Sequence, residues 1–320
     1  VRDLVKSFKV AGNVVRAIDG ISFNVEKGQI LGLLGPNGAG KTTTIKCILG
    51  IMRPSSGIIR VNGFDPFTQS RQSMGNVAAV LEGSRNIYWR MSAWENIVFF
   101  AGIQGVSLKQ GSTYFEHLLD VFRLRDKRDT EVRLMSQGMK QKVAIACALA
   151  KQTPLVFLDE PTLGLDVETS YELRGTLKDL ASSEGRTVIV SSHDMSVIQD
   201  VCPRVIIMSG GRIIADEQLE SLLEVFRSRT YELIVAGTID DNLTFNLGDR
   251  FGNVEVEPSD RQTVVRVNLP SAKELYTIVD LLREHNAQLE SINQETPDLE
   301  KAFLAVVRKE REKCNAISQH

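Results

Sequence analysis

Gly35, Gly40, Lys41 and Thr42 stand at the spacing Gly-x-x-x-x-Gly-Lys-Thr, the pattern of a loop that wraps phosphate. Pro36, Asn37, Gly38, Ala39 and Thr43 complete the loop. Its glycines let the backbone close tightly, so that successive N–H groups point inward at phosphate oxygens. Lys41 can set a point charge against the β- and γ-phosphates, and the Thr42 hydroxyl can ligate Mg²⁺. Two further groups carry chemistry. Asp159 and Glu160 end the apolar run Leu155–Leu158. Asp159 suits Mg²⁺, directly or through water, and Glu160 is placed to orient or deprotonate an attacking water, because in-line phosphoryl transfer needs positioning above all. His193 ends the next apolar run, where a neutral imidazole can donate to a γ-phosphate. In isolation, two solvated carboxylates and a structural histidine would be the plainer reading; the phosphate loop upstream favours chemistry. The ligand implied is a nucleoside triphosphate.

These residues need a particular scaffold. Ile30–Leu34 shows no polar alternation, so it reads as a strand buried on both faces of a parallel sheet. Ile45, Ile48 and Leu49 recur at helical spacing with Gly50 as a stop, so the loop feeds a helix N-terminus, where anions are favoured. Leu155–Leu158 and Thr187–Val190 read as two more buried strands, with a helix from Val167 to about Leu180 between them. Chemistry at the carboxyl ends of strands alternating with helices is the α/β arrangement. Upstream, turn signals at Gly12-Asn13, Asp19-Gly20 and Lys27-Gly28 suit short antiparallel strands. Phe8 lies in one of them, either in the core or available to stack on a base. Ile58–Val61 reads as a strand before the hairpin signal Asn62-Gly63, and Asn76–Leu81 as another. Helices over Ala93 to about Gln104 and Thr113–Leu124, with the segment Arg125–Leu134, form a helical insert. Ser136 opens a helix with small residues on its packed face. Tyr88, Trp89 and Trp94, with Arg85 and Arg90 nearby, either cap that insert or meet a partner.

Near residue 229 the pattern changes. Tyr231–Val235 and Thr263–Val267 alternate as half-exposed strands. Ser271-Ala272-Lys273-Glu274 is a capping box opening a helix with Leu275, Ile278, Val279 and Leu282 inward, and Thr296-Pro297 opens a last helix. The expected organisation is a nucleotide-binding domain over residues 1–228 and a small α+β domain over 229–320, as the length of 320 residues allows. Net charge is −2, which gives no footing for nucleic acid as a bulk partner. No apolar stretch approaches the ~20 residues that span a bilayer, and no signal-peptide pattern opens the chain. Val1 has the look of a strand interior, so native residues are expected before it. Cys47, Cys147, Cys202 and Cys314 are far apart, which disfavours zinc and disulfides. That usage suits the cytoplasm. His117, His285 and His320 read as structural or surface residues.

Taken in order, these motifs resemble the ATP-binding cassette family, the motor subunits of ABC transporters, over residues 1 to about 225. Gly35–Thr42 matches the family's Walker A motif and Leu155–Glu160 its Walker B motif with the catalytic glutamate. Glu160–Asp166 matches the D-loop region, His193 the switch histidine and Phe8 the adenine-stacking aromatic. Leu134–Gln141 stands where the signature LSGGQ belongs: Ser136 and Gly138 are retained, while Gln137 and Met139 depart. Glu82 stands where the family usually has the glutamine of the Q-loop; a carboxylate can bind Mg²⁺ but cannot donate to water. Glu82-Gly83 followed by Tyr88-Trp89-Arg90 resembles drug-exporter cassettes, as does Pro297–Leu304 the last helix of their appended domain. The resemblance implies an α/β phosphate-loop NTPase cassette, with a mostly parallel sheet core, an antiparallel β subdomain and a helical insert. It implies ATP as substrate, Mg²⁺ held by Thr42, Glu82 and Asp159, and catalysis by Lys41, Glu160 and His193. It further implies a head-to-tail dimer on a separately encoded transmembrane permease, at the inner face of the membrane, for export. A soluble translation or repair ATPase, an importer cassette and a non-hydrolysing regulator are the alternatives.

Overall fold

The computed structural model describes residues 1–10, 12–83, 87–225, 230–252, 254–259, 261–269, 273–294, 299, 300 and 303. One compact unit holds Val1–Glu220 and a second holds Ser221–Ala302. The expected boundary at 228 falls among residues 226–229, outside the described ones.

The first unit opens with β1 (Arg2–Val10) and β2 (Asn13–Ile21), a hairpin turning at Gly12-Asn13. Asp19-Gly20 is not a turn. Gly20 sits inside β2 at φ 74°, where the pairing jumps from Leu4↔Ile21 to Val5↔Asp19, so the glycine is absorbed as a bulge. Next come β3 (Ile30–Leu34), α1 (Lys41–Ile48), β4 (Ser56–Ile58), α2 (Ser70–Gly75) and β5 (Val77–Val80). β4 falls a little earlier than the Ile58–Val61 run suggested, because Val61 is drawn into a tight pairing with Phe64 around Asn62-Gly63. The insert holds α3 (Ala93–Ile103), α4 (Leu108–Val121) and the start of α5 (Gln137–Leu149). Arg125–Leu134 resolves into two single 3₁₀ turns, Arg125–Lys127 and Val132–Leu134. Then follow β6 (Leu155–Asp159), α6 (Val167–Glu184), β7 (Thr187–Ser192), α7 (Met195–Val201), β8 (Arg204–Ser209) and β9 (Arg212–Gln218).

The main sheet has six strands in the order β5-β6-β7-β3-β8-β9, parallel except for β9 against β8. Leu31, Leu33 and Leu34 in β3 and Phe157 in β6 are fully buried, as strands covered on both faces require. A separate antiparallel sheet, β2-β1-β4, lies beside it in the chain order expected. No helix is long and apolar enough to cross a membrane among the described residues.

α8 (Leu219–Val225) contains the boundary between the units. The second unit runs β10 (Thr230–Ala236), α9 (Asp241–Phe251), β11 (Val254–Pro258), β12 (Gln262–Asn268), α10 (Glu274–Glu284) and β13 (Leu289–Gln294). Its sheet is antiparallel in the order β11-β12-β10-β13, the split βαβ plan. Leu243 and Leu247 from α9, and Ile278 and Leu282 from α10, bury against it. Ser271, Ala272 and Thr296–Pro297, like most of Pro297–Leu304, lie outside the described residues, as do Cys314, His320 and Arg85.

α4 begins earlier than its apolar pattern suggested. Ser107 and Gln110 form a capping box, with Gln110 Oε1 accepting from Ser107 N–H at 3.1 Å. Gly111, which reads as a helix breaker, is retained for space: a Cβ there would stand 2.3 Å from Cζ of the fully buried Phe115. Gly111→Ala sets a helix-propensity gain of about 0.5–1 kcal/mol against overpacking of about 1–3 kcal/mol. Overpacking should win because the Phe115 ring has no exposed side to turn toward. Thermal unfolding should show a lower midpoint; a raised midpoint would mean that the ring yields freely.

Candidate functional site

The turn from β3 into α1 is shaped by contacts that tolerate no side chain. A Cβ on Gly35 would stand 2.3 Å from the Met208 carbonyl oxygen, and one on Gly40 would stand 2.5 Å from that of Ala17. Gly40 also caps α1 at φ 102°, where an L-residue is strained. The loop therefore lies close against β2 and β8. Lys41 is buried, its Nζ donating to the Gly35 carbonyl at 2.6 Å and to that of Pro36 at 3.4 Å. A pocket of about 510 Å³ is lined by residues 36–43 with Ala17, Glu82, Glu160, Leu163 and His193. A larger cleft of about 980 Å³ opens at the amino ends of β6 and β7, but no Asp, Glu or His lines it. The smaller pocket is the one with chemistry.

β6 and β7 run parallel with Asp159 opposite Ser191, so the ends of the two strands deliver their side chains to one place. Asp159 is buried; its Oδ1 accepts from Thr42 Oγ1 at 3.2 Å and from Ser191 Oγ. Its Oδ2 is buried with no hydrogen-bond partner among the described residues. Buried polar atoms are almost always satisfied, and an unused carboxylate oxygen beside a threonine hydroxyl is the hard oxygen donor set that suits Mg²⁺. Glu82, on the rim of the same pocket, adds a further oxygen donor of that kind.

Glu160 is held on every side. Its Oε1 lies 3.0 Å from His193 Nδ1 and 3.7 Å from Lys41 Nζ, and its Oε2 accepts from Ser192 Oγ at 3.1 Å. Its backbone N–H donates to the Ser191 carbonyl at 3.0 Å, and its φ is +51°. A non-glycine residue in that region carries a strain of about 1–3 kcal/mol. Ser191 and Ser192 are site residues that the sequence reading did not assign to the site; the available signal was two hydroxyls on an otherwise apolar strand, directly before His193. His193 is half exposed. Further on, Asp166 caps α6, and the hydrogen bonds from Thr169 N–H and then Thr169 Oγ1 hold its carboxyl below the usual range.

Some expected residues stand apart from the pocket. Ser136 caps α5, its Oγ accepting from Met139 N–H at 3.2 Å. Gly138 is packed on α6, where a Cβ would meet Thr169 Cγ2 at 2.3 Å. Neither lines the pocket. Phe8 does not line it either. It is half-buried in β1, opposite Val15 and under Lys6 Nζ at 5.1 Å. Cross-strand partners share a face, and Val15 is half exposed, two positions before the pocket residue Ala17. The aromatics of the insert divide. Trp94 lies under Arg128 at 4.1 Å and against Phe115, so it belongs to the insert. Tyr88 and Trp89 are half exposed, Tyr88 stacking on Phe100 and edge-on to Phe99.

The comparisons agree with this geometry. The sequence profile of the family described as ABC transporter matches residues 18–163. The chain is 37% identical to the ABC transporter ATP-binding protein NatA of Bacillus subtilis (strain 168) over 232 residues, 72% of this chain and 94% of NatA. It is 33% identical over 232 residues to the methionine import ATP-binding protein MetN of Geobacillus kaustophilus (strain HTA426), 70% of this chain and 66% of MetN. It shares the fold of a dimeric ATP-binding cassette solved with ADP and phosphate, at a TM-score of 0.62, 23% identity, 68% of this chain and 97% of that one. A phosphate loop facing a buried Asp-Glu pair, in a chain that spans nearly all of such a relative, leaves one reading: the chain belongs to the ABC transporter family as an ATP-hydrolysing, ATP-binding subunit.

Proposed function

We propose that this subunit drives export through a separately encoded membrane permease, working as a head-to-tail dimer at the inner face of the membrane. The observation that carries the mechanism is Glu160 fixed among Lys41, Ser192 and His193 at the mouth of the phosphate pocket. The loop 36–43 wraps the phosphates through its N–H groups, and Lys41 supplies their positive charge. Glu160, with both oxygens held, keeps one orientation toward the attacking water and takes its proton. His193, paired with Glu160 at 3.0 Å, fixes that carboxylate and is exposed enough to meet the γ-phosphate. Phe8, with Val15 opposite, forms an apolar shelf for the adenine. Thr42, Asp159 and Glu82 would hold Mg²⁺, which when bound neutralises phosphate charge and orients the transferred group. Ser136 and the N–H groups beside Gly138 face the ATP of the second copy.

Export is supported by Glu82-Gly83 and Tyr88-Trp89-Arg90, which resemble drug-exporter cassettes, and by the small α+β unit. The methionine importer among the relatives supports import as the second reading. Tyr88 and Trp89, with the exposed Phe99 and Ile103 of α3, offer the permease an apolar strip next in the chain to Glu82. Aromatic anchors of this kind dominate interface energetics.

Four measurements test this function. Glu160→Gln keeps Asp159 but removes the base, so turnover should vanish while ATP binding persists. The protein should then elute as an ATP-dependent dimer, because nucleotide bridging two chains adds its binding energy to the interface. Wild-type turnover would remove Glu160 from its role. Glu82→Gln should raise the Mg²⁺ concentration needed for half-maximal hydrolysis, and Glu82→Ala should raise it further; an unchanged Mg²⁺ titration in both makes Glu82 a bystander. Trp89→Ala should leave the isolated subunit folded and hydrolysing, yet weaken permease-stimulated hydrolysis in proteoliposomes. In the same vesicles, the wild type should move substrate away from the ATP-bearing face. Movement toward that face would replace export by import, and loss of the isolated variant's own activity would assign Trp89 to the insert's core.

A further inference from the structure

Tyr88–Ser92 belongs to no helix or strand, yet it is tied down on two sides. On one side stands Asn96, in the first turn of α3 and 0% exposed. Its Oδ1 accepts from Tyr88 N–H at 2.7 Å, and its Nδ2 faces the carbonyls of Ser92 at 2.9 Å, Tyr88 at 3.0 Å and Met91 at 3.3 Å. A primary amide can accept from one backbone group and donate to others at once; a carboxylate of the same shape has no donor when ionised, and an aliphatic side chain offers neither. On the other side the strap meets the segment leading into α5. Trp89 O accepts from Arg133 N–H at 2.9 Å and Met91 O from Val132 N–H at 3.0 Å, while Trp94 N–H donates to Arg128 O at 3.0 Å. Met135 N–H donates back to Val132 O at 3.1 Å, and the next residue is Ser136, the cap of α5. Lys140, one turn into α5, places its Nζ 5.2 Å from the Trp89 ring centroid.

We infer that Asn96 is a positioning residue for ATP hydrolysis: by fixing the Tyr88–Ser92 strap, it sets the orientation of the Val132–Leu134 turn and of the Ser136 signature turn. The inference rests on the signature role proposed for Ser136. The strap has no ladder of its own: without the Asn96 side chain, Tyr88 O keeps Met91 N–H and Ser92 O keeps the backbone N–H of Asn96, but the amide that ties Tyr88 N–H to the three carbonyls is lost. The Ser136 turn would then lose one of its ties to α3, while Trp94 N–H to Arg128 O and the Ser92–Glu131 bridge remain. Asn96 lies outside the phosphate pocket, so its effect falls on the meeting of two copies and not on the capture of ATP by one.

The test uses the full chain carrying Glu160→Gln, which traps the ATP-bound dimer. Asn96→Asp keeps the side-chain volume and the acceptor for Tyr88 N–H but replaces the donor by an oxygen that repels the backbone carbonyls; Asn96→Ala removes both acceptor and donor. A fluorescent ATP analogue reads binding to single subunits, size exclusion reads dimerisation against ATP concentration, and hydrogen exchange reads the amides of Tyr88, Val132, Arg133, Leu158 and Val190. Both variants should bind the analogue normally, need at least about tenfold more ATP to dimerise, and exchange faster at Val132 and Arg133 but not at Leu158 or Val190; Asn96→Ala should also speed exchange at Tyr88, whose acceptor Asn96→Asp keeps. Ser136→Glu, which sets a carboxylate toward the partner's γ-phosphate, should abolish dimerisation by itself. If Ser136→Glu abolishes dimerisation while both Asn96 variants dimerise normally, the role of Asn96 is overturned. If Ser136→Glu dimerises normally, the signature reading fails and the inference with it. Faster exchange at Leu158 and Val190, or loss of analogue binding, would make Asn96 a general structural residue and overturn its positioning role.

Discussion

Burying Asp159 and Glu160 side by side is the constraint on which the rest of this fold depends. Both are nearly inaccessible, and adjacent carboxylates resist burial because each loses hydration and repels the other. The compensating groups come from two other segments. Lys41 and Thr42 arrive from the phosphate loop, and Ser191, Ser192 and His193 arrive from β7. The carboxylates are tolerable only if β3, β6 and β7 stop at matched heights, which the parallel registers Asp159↔Ser191 and Leu34↔Ser192 provide. A slip of one residue would turn every side chain to the other face. The continuous apolar runs through these strands are thus the foundation of the charge cluster, and the cluster explains why the register must hold.

Strain marks the same place. Glu160 takes φ +51° directly after the last residue of β6, and its side chain turns across to β7 instead of following the strand. The strain is offset by hydrogen bonds at both ends of the residue, from its N–H to Ser191 O and from Ser192 Oγ to its carboxylate. Removing the Ser192 hydroxyl would leave the backbone bent with less to hold it. Asp159 contrasts with this: it stays in regular strand geometry and keeps one oxygen without a hydrogen-bond partner among the described residues, a disposition suited to a cation and not to moving a proton.

Much of this was legible in the sequence because the signals were local. The phosphate loop, the strand-ending carboxylates and His193 each declare themselves through an apolar run broken by chemistry-bearing residues. What was not legible depended on distance. Ser191 and Ser192 are ordinary hydroxyls until β6 is placed beside β7. Gly111 reads as a helix breaker until Phe115 is seen against it. α9 was overlooked although Asp240 caps it and Leu243 and Leu247 share its buried face, because its apolar residues are sparse between polar ones. Asn96 is a polar residue in an otherwise largely apolar stretch, and only the fold of Tyr88–Ser92 around it gives its amide a task. Asp19-Gly20 shows the reverse error, where a strong turn pair was absorbed into a strand by a bulge.

The pocket as one chain builds it is one-sided. The loop, Glu160 and His193 line it from below and beside, while Ser136 and Gly138 lie elsewhere on the same chain. Gly138 is locked against Thr169, so the signature turn and the start of α6 form one rigid corner. That corner exposes Leu134, Val167 and Tyr171, and Leu163 at the pocket's edge is also open. Single exposed apolar residues need no explanation; several on the two elements that flank the signature turn do. The head-to-tail pairing proposed above would give each a function, since it would set one chain's corner over the other chain's pocket. In that arrangement the γ-phosphate would be part of the interface, and its hydrolysis would remove binding energy where the two copies meet. A chain whose proposed base directly follows β6 and whose proposed signature turn caps α5 would turn that loss into movement only because the two elements answer to different copies.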